Sequence, residues 1–531
     1  MKAFAELFLE LDRTTKTGEK VAALVRYLQS APKKDRVWTI ALLSGKRPKR
    51  CATSTELRIW AAEVAGLPLW LFEESYAVTG DLAETISLVL PEPVGDQGKS
   101  LTETMHTLMD LTGRPEDVRK AAILLEWSQL RHVERFVFNK LLTGGFRMGV
   151  SQGLVRKALA QSTGIEESAL AQRLMGNWEP KFTEFDALVS GMGDNIGRPY
   201  PFALASPLES SPEALGTSDD WAAEWKWDGI RGQLVFRNQE LFVWSRGEEL
   251  LTDRFPEFST LLDFIPAGTV LDGEILSWNN GRPLPFADLQ KRIGRKTVPK
   301  RLLAEAPIHF VAYDLLEREG VDLRSRPFSH RRKELESIIN HLPTTLPINV
   351  SPLVQASGWE GLAEHRRVSR ENGAEGLMLK RVSSPYFTGR QRGDWWKWKV
   401  DPYTIDAVMI YAQSGHGRRA NLYSDFTFAL RNGNDLTPFA KAYSGLTDAE
   451  FSEITRWVQK NSLEKFGPVR RVPPELVFEL AFEGLQESSR HKSGIAVRFP
   501  RILRWRKDKT VADIDTMDGL HALLNQAGKP N

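Results

Sequence analysis

The 531-residue sequence predicts a multidomain protein: an α-helical N-terminal domain over 1–203, an α+β domain over 204–400 and a C-terminal β-barrel domain over 401–531. Three observations carry that reading. The length exceeds what a single core comfortably organises. Apolar residues recur at helical spacing up to about residue 200, where strand-like alternation is scarce. Beyond Lys399 the pattern becomes short strands and turns, for which a small barrel is the economical packing.

In the first region, Phe4, Leu7, Phe8 and Leu11 fall on one helical face, as do Val21, Leu24, Val25 and Leu28, and again Ile123, Leu124, Trp127 and Leu130. Glu6, Glu10 and Asp12 interrupt what would have to be the apolar core of a signal peptide, so a secreted chain is not expected. The segment Gly144-Gly145-Phe146-Arg147-Met148-Gly149-Val150 opens a helix capped by Ser151. A glycine-bracketed arginine loop at a helix start can offer amides and a positive dipole end to a phosphate, or can be a plain helix-helix turn.

A stretch rich in proline, serine and glycine, about 197–216, reads as a linker. Strand-like runs then follow at Trp221–Trp227, Gln233–Trp244, Val270–Ser277 and Ile308–Leu315, alternating with helical segments. In the last domain, Asp406–Ala412, Asp425–Arg431 and Leu476–Phe482 read as strands. Gly415-His416-Gly417-Arg418-Arg419-Ala420 imitates a dinucleotide fingerprint but lies between strands, which makes it a hairpin turn.

With 41% apolar and 26% charged residues the composition is that of an ordinary globular chain, and no apolar run is long enough to span a membrane. The lone Cys51 excludes a disulfide framework and a four-cysteine zinc site. A net charge of +3 does not by itself imply nucleic acid. Residues 486–509, however, concentrate Arg490, Lys492, Arg498, Arg501, Arg504, Arg506, Lys507 and Lys509 around Phe499 and Trp505. Cations interleaved with aromatics suit a polyphosphate or a nucleic-acid backbone.

The most informative residues are Lys226-Trp227-Asp228-Gly229-Ile230-Arg231. An amine can attack a nucleoside triphosphate only when it is deprotonated and the target phosphate is neutralised, which calls for a desolvated lysine among other cations. Five segments follow in order: Ser245-Arg246-Gly247, Leu271-Asp272-Gly273-Glu274, Phe310-Val311-Ala312-Tyr313-Asp314-Leu315, Glu375-Gly376-Leu377-Met378-Leu379-Lys380 and Trp395-Trp396-Lys397-Trp398-Lys399.

This ordered set resembles the motif series of the covalent nucleotidyltransferase superfamily. Over about residues 1–515 the chain resembles ATP-dependent DNA ligases of the bacterial type that carry an N-terminal DNA-binding domain. The resemblance implies a central adenylation domain and a C-terminal OB-fold. It implies that Lys226 attacks the α-phosphate of ATP and holds AMP, which passes to a DNA 5′-phosphate before the 3′-hydroxyl seals the nick.

By the same resemblance Lys380 and Lys397 contact the α-phosphate, Tyr313 stacks on adenine, and Glu224 lies near the adenine amino group. Arg231 and Arg246 match ribose or 5′-phosphate contacts, and either Arg390 or Arg392 faces the triphosphate. Glu274 matches a ribose contact and, with Glu375, a place near a magnesium or manganese ion. Arg506 and Lys509 match the final motif, which orients pyrophosphate, although Lys507 stands where the family has an acidic residue. Arg147 matches a minor-groove loop. Nicked duplex DNA is the implied partner, with a repair nuclease or helicase as the expected protein partner, for a monomer in a bacterial cytoplasm, at the nucleoid. The long helical region favours DNA over RNA ligation. A non-catalytic DNA-end scaffold on the same fold is the alternative from another class.

Overall fold

A computed structural model of the chain describes residues 1–94, 98–144, 149–174, 178–190, 197–293, 295, 298–415 and 421–527. Arg147 and the His416–Ala420 part of the fingerprint-like segment lie outside them. The chain separates into two compact units, one made of Met1–Ala158 with the described part of Pro402–Lys529, the other of Leu159–Asp401.

Helices account for the regular structure from Lys2 to Ser190 among the described residues. Phe4, Leu7, Phe8 and Leu11 are all buried, as the helical spacing requires. The helix Gln152–Thr163 starts as its sequence suggests, with the Ser151 hydroxyl accepting from the Leu154 amide at 3.3 Å.

The Leu159–Asp401 unit holds two sheets that matter for function. In the larger, strands 348–350, 308–318, 269–279, 230–237 and 240–245 lie side by side in that order. In the smaller, the order is 206–207, 395–399, 374–381 and 221–227. The chain crosses from the smaller to the larger sheet at Asp228-Gly229, so Lys226 hangs from one sheet and Arg231 from the other. Glycine is required at 229 because a Cβ there would lie 2.4 Å from the Ile275 carbonyl oxygen.

Two sequence readings are revised. The run Gln233–Trp244 is two strands, Ile230–Arg237 and Glu240–Ser245, because Asn238 and Gln239 adopt left-handed φ values of 50° and 61° and close a tight hairpin. The stretch 197–216 is not a free linker. Tyr200 and Phe202 are buried, the Tyr200 hydroxyl donates to Glu317 at 2.6 Å, and the Trp244 indole donates to the Gly197 carbonyl at 2.6 Å. Aromatic side chains among the prolines dock this segment on the larger sheet.

At the end of this unit Asp401 is gripped twice. Arg366 donates to its carboxylate and to the Lys399 carbonyl, both at 2.7 Å, and Arg370 donates to its carbonyl at 2.6 Å. The C-terminal region is strand-rich: Tyr403–Ser414 pairs with 423–432, 469–471 and 477–482, around a core that includes Phe426, Phe428, Phe478 and Leu480. The helix Asp448–Asn461 packs Phe451, Ile454 and Val458 into that core behind a Thr447–Glu450 capping box. Among the described residues no helix is long and apolar enough to cross a membrane.

Candidate active site

Alternation along the strands of the smaller sheet sets the site. Glu224 and Lys226 share one face of Trp221–Trp227. Across the ladder, Glu224 is opposite Met378, which is opposite Lys397, and Lys380 is opposite Trp395. Lys399 lies two residues beyond Lys397 on the same face and opposite Gly376. One pleated surface therefore presents Glu224, Lys226, Lys380, Lys397 and Lys399 together.

Lys226 donates to Glu375 at 2.5 Å, and Lys399 approaches the same carboxylate oxygen at 3.3 Å. Burial lowers the Lys397 ammonium below its usual range, and the positive charges of Arg390, Lys399, Lys226 and Arg246 lower it further. Five cations thus crowd one patch. Lys399 belongs to it although the sequence reading singled out only Lys397; the alternation in Trp396-Lys397-Trp398-Lys399 was the available signal. Of the two arginines left open, Arg390 acts on this patch, whereas Arg392 stacks on the Trp396 ring at 5.6 Å, and Trp396 alternates to the other face.

Lys380 is buried and occupies a different place from Lys397. It pairs with Glu224 at 2.6 Å and sits 4.4 Å from the Tyr313 ring centroid and 4.7 Å from that of Trp395. Glu224 also accepts from Arg332 at 2.9 Å. These residues form a polar floor beneath an aromatic wall, suited to a heteroaromatic base with hydrogen-bonding edges. Arg332 has no counterpart in the sequence reading, because nothing local ties residue 332 to residue 224.

From the larger sheet, Arg231 and Glu274 are opposite each other. Arg231 is fixed by a two-pronged pair with the fully buried Asp272, at 3.2 and 2.7 Å, and lies 5.7 Å from the Tyr313 ring. Burial pushes the Glu274 carboxyl up to about 8, with Lys226 and Arg231 opposing and Asp272 and Asp228 adding to the rise. Among the described residues no three His, Cys, Asp or Glu side chains converge as a metal cage. Magnesium needs no such cage, since it keeps several waters and takes one or two carboxylates. Glu274 and Glu375 fit it: both offer hard oxygens, and a bound cation would offset the burial that disfavours the charged form of Glu274.

Arg506 and Lys509 belong to the other unit, where both hold Asp406, at 3.2 and 2.5 Å, and Arg506 also holds Asp508 at 2.7 Å. Nearby, Arg504 pairs with Glu479 at 2.5 Å and Lys507 with Glu453 at 2.8 Å. The final-motif cations are thus all engaged by carboxylates. Phe499 is exposed and left-handed at φ 53°, with the Arg498 guanidinium 5.3 Å from its ring.

Comparison with known proteins extends over 98% to 99% of the chain. Residues 202–399 match the ATP dependent DNA ligase domain, residues 1–160 the DNA ligase N terminus and residues 419–509 the ATP dependent DNA ligase C terminal region. A probable DNA ligase of Koribacter versatilis (strain Ellin345) is 33% identical over 98% of this chain and 95% of its own. DNA ligase 1 of Korarchaeum cryptofilum (strain OPF8) is 28% identical over 99% of this chain and 98% of its own. The solved structure named Pmar-Lig_PreS3 shares the fold, with a TM-score of 0.63 at 16% identity, covering 94% of this chain and 99% of that one. A lysine-centred cation patch beside an aromatic base pocket, on a chain whose three regions match in order, makes this protein a member of the ATP-dependent DNA ligase family, an enzyme that uses ATP to join DNA.

Proposed function

We propose that this enzyme seals 5′-phosphate/3′-hydroxyl nicks in duplex DNA through a lysyl-AMP and then a DNA-adenylate, with domain limits near 1–203, 204–400 and 401–531. The observation that carries this is the crowding of Lys226, Arg246, Arg390 and Lys399 around Lys397. In the first step the Lys226 nitrogen bonds to the α-phosphorus and pyrophosphate departs. In-line phosphoryl substitution leaves the protein mainly positioning and charge neutralisation to perform, and the other four cations supply the neutralisation.

The contacts of Lys380 with the Tyr313 ring and Glu224 support a role beside the base rather than at the α-phosphate. The adenine amino group would meet the Glu224 side, and the ring would lie on Tyr313. Glu274 and Glu375 would hold a magnesium or manganese ion, which when bound supplies further positive charge beside the phosphates. Lys226 must leave Glu375 before its amine can act as a nucleophile, so Glu375 has two roles: it anchors the resting lysine and then serves as an oxygen ligand.

Incubation with radiolabelled ATP and a denaturing gel tests the reading. Lys226→Ala and Lys226→Arg should both give no acid-labile AMP adduct, the second because a guanidinium stays protonated. A normal adduct in either would overturn it. The scaffold alternative expects no adduct from the unaltered protein.

A further inference from the structure

The two oxygens of Glu224 are tethered separately. Oε1 accepts from Arg332 Nη1 at 2.9 Å, and Oε2 pairs with Lys380 Nζ at 2.6 Å. All three side chains are buried. The terminal torsion of a glutamate is soft, so one tether would leave the carboxylate plane free to turn about the Cγ–Cδ bond. Two tethers, one on each oxygen, fix the plane. A carboxylate held this way presents lone pairs and no donor.

Arg332 is itself held on every side. It lies on the helix Phe328–Ile339, where its Nε donates to Glu336 at 2.6 Å and its Nη2 to the Ser351 carbonyl at 2.7 Å, so each of its three nitrogens has an acceptor. The preceding residue, Arg331, makes a two-pronged pair with Asp314 at 2.8 and 2.9 Å, both fully buried, and Asp314 adjoins Tyr313. The start of the helix is pinned as well: the Phe328 amide donates to the Ser384 carbonyl at 2.8 Å and the Ser329 amide to the Val382 carbonyl at 3.0 Å. The helix is thereby locked to the strand that carries Tyr313 and to the residues that follow the strand carrying Lys380. Arg332 passes that fixed position on to Glu224.

We propose that Arg332 is a positioning residue that sets the enzyme's selectivity for a purine bearing an amino group at its 6-position. The inference rests on the placement of adenine against Tyr313 with its amino group toward Glu224, and adds the residue that makes this contact selective. An acceptor of fixed orientation takes a hydrogen from the 6-amino group, whereas guanine would put an oxygen there and lone pairs would face lone pairs. A carboxylate free to turn loses the distinction. It can swing aside and let Lys380 donate to the guanine oxygen instead.

The test is the rate of covalent nucleotide adduct formation by the full-length protein, read by intact-protein mass spectrometry at limiting nucleotide, for the unaltered protein, Arg332→Gln and Arg332→Lys. The nucleotides are ATP, GTP and purine riboside triphosphate, which carries hydrogen in place of the 6-amino group. The unaltered protein should prefer ATP to the purine analogue by roughly ten- to hundredfold, the range of a hydrogen bond to a charged group. Arg332→Gln should shrink that preference to about threefold or less, and the share of adduct formed from GTP in an equimolar mixture with ATP should rise. Arg332→Lys keeps the charge without the planar fork and should give an intermediate preference. A merely structural role would slow all three nucleotides alike and leave the ratios unchanged. Unchanged ratios in Arg332→Gln would overturn the proposal, as would loss of adduct from every nucleotide in both variants. No preference for ATP over the purine analogue in the unaltered protein would instead remove the placement of the amino group beside Glu224, and this role of Arg332 with it.

Discussion

Glu274 is held where its charged form is poorly solvated, beside Asp272 and Asp228, so its carboxyl keeps a proton up to about pH 8. Its value in the fold lies above its ordinary value of 4.5, and therefore its contribution to stability is complete below about 4.5 and is lost as pH rises through about 8. The neutral, isosteric Glu274→Gln carries no such dependence. The gap in melting temperature between this variant and the unaltered protein should grow in the variant's favour from about pH 5 to about pH 9. A constant gap would show that Glu274 titrates normally in the fold. Single residues of this site were legible where their motif spacing is fixed, as with Lys226, Glu224 and Tyr313. Asp272 as the anchor of Arg231 and Arg332 as the anchor of Glu224 were not, because those partnerships are made only when strands and a helix come together.

Gly376 shows how an element, rather than a side chain, places the lysines. Its φ of 139° lies in the region that favours glycine, and a Cβ there would fall 2.3 Å from the Trp398 carbonyl oxygen and 2.6 Å from the Lys399 Cα. The strand Ala374–Arg381 shifts register against Trp221–Trp227 at this point, which lets Glu375 reach Lys226. Gly376→Ala must push away the strand that carries Lys397 and Lys399. Self-adenylation should fall by roughly a hundredfold or more, comparable to loss of a transition-state donor, with a lowered melting temperature by calorimetry. An adduct formed at the normal rate would mean that the two strands can part without moving the cations. Strand positions were mostly readable from alternation, yet the hairpin at Asn238-Gln239 was missed because Asn-Gln is a weaker turn signal than Asn-Gly. The docked 197–216 segment was missed because proline and glycine content outweighed two buried aromatics.

At the scale of the molecule, the final-motif cations and the lysine they are expected to serve belong to different compact units. Arg506 and Lys509 are both held by Asp406, so they can act on pyrophosphate only by exchanging that carboxylate for phosphate oxygens. Pyrophosphate leaves only in the first step. Arg506→Ala and Lys509→Ala should therefore slow AMP loading from ATP at least tenfold more than sealing of a pre-adenylated nick, a split worth about 1.4 kcal/mol. Equal loss in both steps, measured by single-turnover assays, would assign these residues to DNA contact or folding. The three-region order was visible in the periodicity of the chain. The partition of its contacts into two units was not, since sequence patterning reports which elements form and not which of them associate.

The ion pair between Lys226 and Glu375 also bears on how safely a covalent catalyst can sit idle. A nucleophilic amine in a cell meets aldehydes, acyl phosphates and isocyanates, and any of these could cap it irreversibly. Engaged with a carboxylate at 2.5 Å, the resting nitrogen is held as a hydrogen-bond donor to Glu375 instead of being turned toward them. Glu375→Gln should expose it: brief treatment with an amine-acylating reagent, followed by peptide mass spectrometry, should label Lys226 in that variant severalfold faster than in the unaltered protein. Equal labelling would mean that the carboxylate gives no shelter. If the shelter holds, the enzyme stores its reactivity in a masked form and uncovers it only when a nucleotide arrives.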